Sequence, residues 1–141
     1  MMDKFEVIRP VVLGIAKKNN KILVSEGYDK VKKQFFYRCL GGGIEFCEKS
    51  EEALKREFKE ELGIDIEIEE YCGLAENIFT FQGKKAHEIV LLYNIKIKDE
   101  DYQEKYRMID DDGEGEAVWV NVDDFKNNKK ILYPDEIFKY L

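Results

Sequence analysis

The chain has 141 residues, 44% of them hydrophobic, 13% aromatic and 38% charged, a mixture that can build one core and argues against a disordered or low-complexity polymer. Its formal net charge of −7 repels nucleic-acid backbones and so argues against polymer binding. The same field repels a phosphate ligand unless a cation bridges the two.

In chain order, Phe5–Lys17 reads as an apolar, β-branched strand, Asn19-Asn20 as a turn and Lys21–Ser25 as the returning strand. Tyr28–Gln34 is polar and basic, a loop, and Phe35–Leu40 is a short strand running into Gly41-Gly42-Gly43. Ser50 can cap a helix that runs to about Leu62, with Glu51 and Glu52 at its positive end and Gly63 as its stop. Ile64–Cys72 alternates as a strand does. Asn77–Phe81 and Glu88–Lys98 follow as two more strands, joined by a turn at Gln82-Gly83-Lys84. Asp99–Gly115 reads as a long acidic loop, Ala117–Val122 as a last strand holding Trp119, and Asp123–Asn127 and Pro134–Leu141 as short helices. Mixed strands and helices without strict alternation predict an α/β or α+β layered domain.

The apolar runs around Val11–Ala16 and Ile89–Tyr93 are too short to span a bilayer, and Met1–Arg9 lacks a secretory pattern. Cys39, Cys47 and Cys72 lie apart, odd in number and with no C-x-x-C pair, so they read as reduced thiols in a cytoplasmic protein. His87 is the only histidine; it reads as structural or hydrogen-bonding, with a substrate or base role as the alternative.

The chemistry concentrates between Gly42 and Ile64. Two phosphate motifs fail there. Gly43 to Ser50 has a P-loop outline, but Glu48 stands where the second glycine belongs and would repel phosphate. A dinucleotide pattern starting at Gly41 meets Phe46 at its last glycine position. On the helix, Leu54, Phe58 and Leu62 form an apolar stripe. Glu57 lies i, i+3 from Glu60 and i, i+4 from Glu61, so the three share one side. Like charges at that spacing cost a few tenths of a kcal/mol per pair, and more when desolvated. Oxygen-only clusters suit hard cations such as Mg²⁺ or Mn²⁺, and Arg56 is placed to brace Glu60. The competing reading is a solvated acidic face, which Lys55 and Lys59 would support.

Gly42, five residues, Glu48, seven residues, then Arg56-Glu57-Phe58-Lys59-Glu60-Glu61-Leu62-Gly63-Ile64 resembles the Nudix box, G-x5-E-x7-R-E-U-x-E-E-x-G-U, where U is bulky and apolar. Every defined position matches, and a chance match is on the order of one in a million. Leu40 stands where proline often precedes the glycines, and Cys47 where glycine often precedes the box glutamate.

The resemblance to Nudix (MutT-type) hydrolases implies an α/β/α sandwich around a mixed sheet, with residues 1–141 as a single domain. It implies hydrolysis of the P–O–P bond of a nucleoside diphosphate linked to another moiety. By similarity, Glu57, Glu60 and Glu61 supply oxygens to Mg²⁺ or Mn²⁺, together with the Gly41 carbonyl, while Arg56 and Glu48 hold helix and loop together. A further carboxylate is expected from Asp110–Glu116, with Glu114 first and Asp112 and Glu116 behind it; a solvated loop is the alternative. Arg38 is a candidate phosphate contact, and Tyr37 and Phe79 (with Phe35 and Phe81) are candidates for stacking on a base or for core packing. The partner implied is a small nucleotide or pyrophosphate, with neither nucleic-acid polymer nor membrane; a homodimer is compatible with the family. A Nudix-fold module that binds a nucleotide without cleaving it is the alternative function.

Overall fold

The computed structural model describes residues 6–110 and 113–141. Its strands are β1 (Ile8–Lys18), β2 (Lys21–Asp29), β3 (Gln34–Gly43), β4 (Ile66–Phe81), β5 (Lys84–Ile97), β6 (Lys105–Asp110), β7 (Gly113–Asn121) and β8 (Leu132–Tyr133). Helix α1 spans Ser50–Leu62 and α2 spans Val122–Lys126, and 3-10 turns cover Asp99–Asp101 and Asp135–Tyr140. Among the described residues the strands form an eight-stranded sheet in the order β4-β5-β1-β3-β2-β7-β6, with β8 beside β3. The β1–β5 and β3–β8 pairs are parallel and the others antiparallel, so the sheet is mixed.

Both faces of the sheet are covered. On one, Ala53, Leu54 and Phe58 of α1 pack on Val12, Ala16, Leu40, Tyr93, Ile95 and Met108. Full burial of Leu54 and Phe58 contributes about 1.5–3 kcal/mol each. On the other, Val122, Phe125 and Ile137 cover Val11, Leu13, Val24, Cys39, Val90 and Leu92. This is the expected α/β/α arrangement, and the helix periodicity and the period-2 strand pattern supply its two apolar faces.

Strand β3 is shared between two halves of the sheet. Its end, Leu40–Gly43, pairs with β1, whereas Gln34–Cys39 pairs with β2. The β2–β3 and β4–β5 hairpins border a shared cleft, with Phe36 of the first and Phe79 of the second lining it.

The structure revises several boundaries. Ser50 does not cap α1: Lys49 occupies that position with extended backbone and no side-chain cap bond, while Ser50 Oγ lies 2.7 Å from Tyr93 Oη. Gly63 ends the helix as expected, with φ 73° and its N–H donated to the Lys59 carbonyl. The two strands expected between Ile64 and Phe81 are one, β4. Register shifts at Ile68/Glu70 and Tyr71/Gly73 break its alternation and disguise its continuity. Most of the supposed loop Tyr28–Gln34 is a shorter turn, since β2 reaches Asp29 and β3 starts at Gln34. The supposed acidic loop Asp99–Gly115 contains β6, where buried Tyr106 and Met108 alternate with exposed Lys105 and Arg107. The C-terminal segment is a 3-10 turn over Asp135–Tyr140.

Candidate active site

The glycines at the end of β3 are required by their neighbours. A β-carbon on Gly41 would lie 1.9 Å from the Val12 carbonyl oxygen, and one on Gly42 would lie 2.5 Å from Cδ of Glu57. The bare backbone thus lets α1 bring a carboxylate against the strand end. The chain then turns at Glu45–Glu48, with the Glu48 N–H donated to the Glu45 carbonyl at 3.0 Å and Cys47 at φ 66°.

Arg56 ties this turn to the helix. Its Nε donates to Glu48 Oε2 at 2.7 Å, and its Nη2 donates to Glu48 Oε1 and to the Gly43 carbonyl, both at 3.0 Å. Its Nη1 donates to Glu57 at 3.0 Å and to Glu60 at 3.2 Å. This fork matches carboxylate geometry in a way a lysine would not. The guanidinium holds the Glu48 carboxyl below the usual carboxylate range, and Glu48 in turn raises the Arg56 pKa. Glu57 is largely sheltered, its side chain 17% exposed, whereas that of Glu60 is 60% exposed.

Two cavities adjoin in the cleft. One, of about 610 Å³, is bordered by Gly41–Gly43, Arg56, Glu57, Glu60 and Glu61. The other, of about 340 Å³, is bordered by Phe36, Phe79, Phe81 and Tyr133 together with Asn77 and Lys32. Arg9, Ser25, Arg38 and Glu88 border both. The first offers an all-oxygen carboxylate set for a hard cation. The second has the volume and apolar lining of a small-molecule site. In the conformation described, Glu57 and Glu60 turn to Arg56, and among the described residues no group of three or more His, Cys, Asp or Glu is drawn together as an ion-holding set.

The NUDIX domain model matches residues 8–141. The chain belongs to the NUDIX domain family. It is a Nudix hydrolase, acting on phosphorus-containing acid anhydrides, a pyrophosphohydrolase in the general sense. The family generally uses divalent metal cations. A MutT protein from Methanosarcina mazei Go1 superposes with a TM-score of 0.67 at 14% identity, covering 94% of this chain and 91% of that one. A MutT NUDIX hydrolase from Burkholderia pseudomallei gives 0.63 at 21% identity, covering 84% and 86%. An ADP-ribose pyrophosphatase from Streptococcus suis gives 0.58 at 12% identity, covering 90% and 81%. At these identities the likeness carries the fold. No sequence match to a curated protein is found. No helix among the described residues is long and apolar enough to cross a membrane.

The structure of this Nudix hydrolase brings Glu57, Glu60, Glu61, Arg56 and Gly41 to one cavity, with Arg38 beside them and Phe79 in the adjoining one. Glu48 braces them from behind through Arg56. Tyr37 is not brought there. Its ring packs in the core against Phe125, its hydroxyl donates to Glu26 at 2.6 Å, and burial with this bond pushes its pKa up to about 12. Phe35 is exposed against Tyr28. Glu114 sits on β7 in an ion pair with Arg107 and borders neither cavity. Glu116 is paired with Lys105, and Asp112 lies outside the described residues. His87 borders neither cavity; its Nε2 is buried with no hydrogen-bond partner among the described residues.

Phe36, Arg9, Asn77 and Glu88 also line the cleft, and the sequence motif does not single them out. Strand alternation carries a signal for Phe36, because a cavity-facing Arg38 places residue 36 on the same face. Arg9, Glu88 and Asn77 become neighbours only through the pairing of β1, β5 and β4.

Proposed function

We propose that this Nudix hydrolase cleaves the P–O–P bond of a nucleoside diphosphate linked to another moiety, a nucleoside triphosphate or small nucleotide derivative, with Mg²⁺ or Mn²⁺. The observation that carries this is the adjoining of two cavities, one bordered by the box glutamates and one by aromatic rings. Glu57, Glu60 and Glu61, with the Gly41 carbonyl, would hold the cation. The donor set fits it: all are oxygens, and Gly42 leaves room for Glu57 at the strand end. When bound, such a cation neutralises phosphate oxygens, activates water and stabilises the leaving phosphate.

The chain's own residues supply the rest. Arg56 fixes the directions of Glu57 and Glu60. A box glutamate takes the proton of the attacking water, whose oxygen forms a bond to phosphorus as the bridging P–O bond breaks. The bridging oxygen leaves on the second phosphate. Phe36 and Phe79 flank the ring-bearing half, and Arg38 meets its phosphate. Glu114, held by Arg107, is left out of this set. The free thiols at Cys39, Cys47 and Cys72 support a cytoplasmic location.

A turnover screen tests the proposal. It covers nucleoside triphosphates, oxidised nucleotides, ADP-ribose, other nucleotide sugars, dinucleoside polyphosphates and dinucleotide cofactors, with Mg²⁺, with Mn²⁺ and with chelator. Hydrolysis of at least one class that stops with chelator is expected. No turnover of any class above background overturns it.

A further inference from the structure

At the junction of the two cavities stands a charged cluster that the box does not explain. The parallel β1–β5 register sets Arg9 beside Glu88, and the antiparallel β4–β5 register sets Asn77 on its other side. Arg38 reaches the same carboxylate from β3. Glu88 is only 3% exposed. Its Oε1 accepts from Arg38 Nη2 at 2.9 Å and from Asn77 Nδ2 at 3.4 Å, and its Oε2 lies 3.6 Å from Arg9 Nη1.

One guanidinium is enough to balance one buried carboxylate. The second gives the Arg9–Arg38–Glu88 trio one surplus positive charge in a protein of net charge −7. The Arg9 and Arg38 side chains are 39% and 26% exposed and border both cavities, and one contact to Glu88 each leaves N–H donors for a ligand. The other carboxylates on the ring cavity, Glu26 and Asp29, keep their charge but hydrogen-bond to groups other than the arginines. Glu26 accepts from Tyr37, and Asp29 accepts backbone N–H groups of Val31, Lys32 and Gln82. Arg9 also reaches the end of β3: a β-carbon on Gly43 would lie 3.4 Å from its Nη2. Along the cleft the order is aromatic cavity, paired arginines, glutamates. That order matches a ring, a first phosphate and a second phosphate.

We propose that Arg9 and Arg38 seat the phosphate on the ring-bearing half of the substrate, the phosphate that stays with the nucleoside monophosphate product, and that Glu88 is the positioning residue that holds Arg38 by a hydrogen bond and Arg9 by an ion pair. This rests on the nucleotide reading above. The ligand class is a nucleoside 5′-phosphate, bound by charge-assisted, fork-shaped hydrogen bonds. Without Glu88 the arginines keep their charge and lose their direction.

The test is calorimetric titration of the full chain with nucleoside monophosphates and with the matching unphosphorylated nucleosides, in chelator. Wild type is compared with Arg9→Gln, Arg38→Gln and Glu88→Gln, and Arg38→Lys serves if Arg38→Gln does not fold. The expected result is that wild type binds at least one monophosphate, and that each arginine variant weakens it by about tenfold or more with little change for the nucleoside. On the hydrolysed substrate Arg9→Gln raises KM more than it lowers kcat. Glu88→Gln weakens the monophosphate while both arginines remain. Monophosphate binding unchanged in the arginine variants, an equal loss for nucleoside and nucleotide, or no monophosphate binding by wild type overturns the seat. Turnover by wild type with KM unchanged in Arg9→Gln removes the seat and leaves the nucleotide hydrolase standing. Monophosphate binding through the arginines without turnover of any nucleotide does the reverse.

Discussion

Gly42 lies so close to Glu57 that a β-carbon on the glycine would stand 2.5 Å from the glutamate's carboxyl carbon. The obstructing atoms belong to the end of a side chain, so an added methyl group displaces Glu57 and leaves the strand in place. Gly42→Ala is therefore expected to fold, to melt within a few degrees of wild type, and to lose roughly tenfold to a hundredfold in kcat through the misplaced carboxylate. Thermal denaturation and steady-state kinetics on the same preparation check this.

Glu48 gives a pH signature. The Arg56 hydrogen bonds, followed by the backbone bond from Glu45, hold its carboxyl below the ordinary 4.5. A carboxylate whose folded pKa is depressed stabilises the fold fully above its unfolded value and loses that contribution as pH falls through the folded one. The melting temperature of wild type should exceed that of Glu48→Gln at neutral pH. The gap should close below about pH 4.5. A gap that persists unchanged at the lowest pH where both variants still fold contradicts the assignment.

Cys47 occupies the left-handed region with φ 66°, at the third position of the Glu45–Glu48 turn. This is where glycine often stands in the family, and where a β-carbon costs about 1–2 kcal/mol. Glycine is also more flexible in the unfolded chain, which returns part of that gain. Cys47→Gly is expected to stabilise the protein by about 1 kcal/mol, measured by urea denaturation.

Much of this site is legible in the sequence because the box is local. Its spacing specifies a glycine turn, a helix and a carboxylate face within one continuous segment, and α1 runs over Ser50–Leu62 with the expected Gly63 stop. The ring cavity is legible only in part. Arg38 and Phe79 have the right chemistry for it, but Tyr37 does too, and only the face of β3 separates Tyr37 in the core from Phe36 in the cleft. The Arg9–Glu88–Asn77 row depends on pairing between strands far apart in sequence, and a single chain read along its length does not display it. Strand β6 was hidden for a different reason: its buried Tyr106 and Met108 are interleaved with charges in an acidic stretch, so composition outweighed alternation.

In the proposed function the box glutamates of α1 carry the reaction. The most direct measurement is the turnover of Glu60→Gln and Glu61→Gln, each beside wild type, on the best substrate from the screen at saturating Mg²⁺, with circular dichroism recorded on the same samples. Nearly complete loss of turnover with the native spectrum retained is predicted. Wild-type rates in either variant would contradict the metal-ligand assignment.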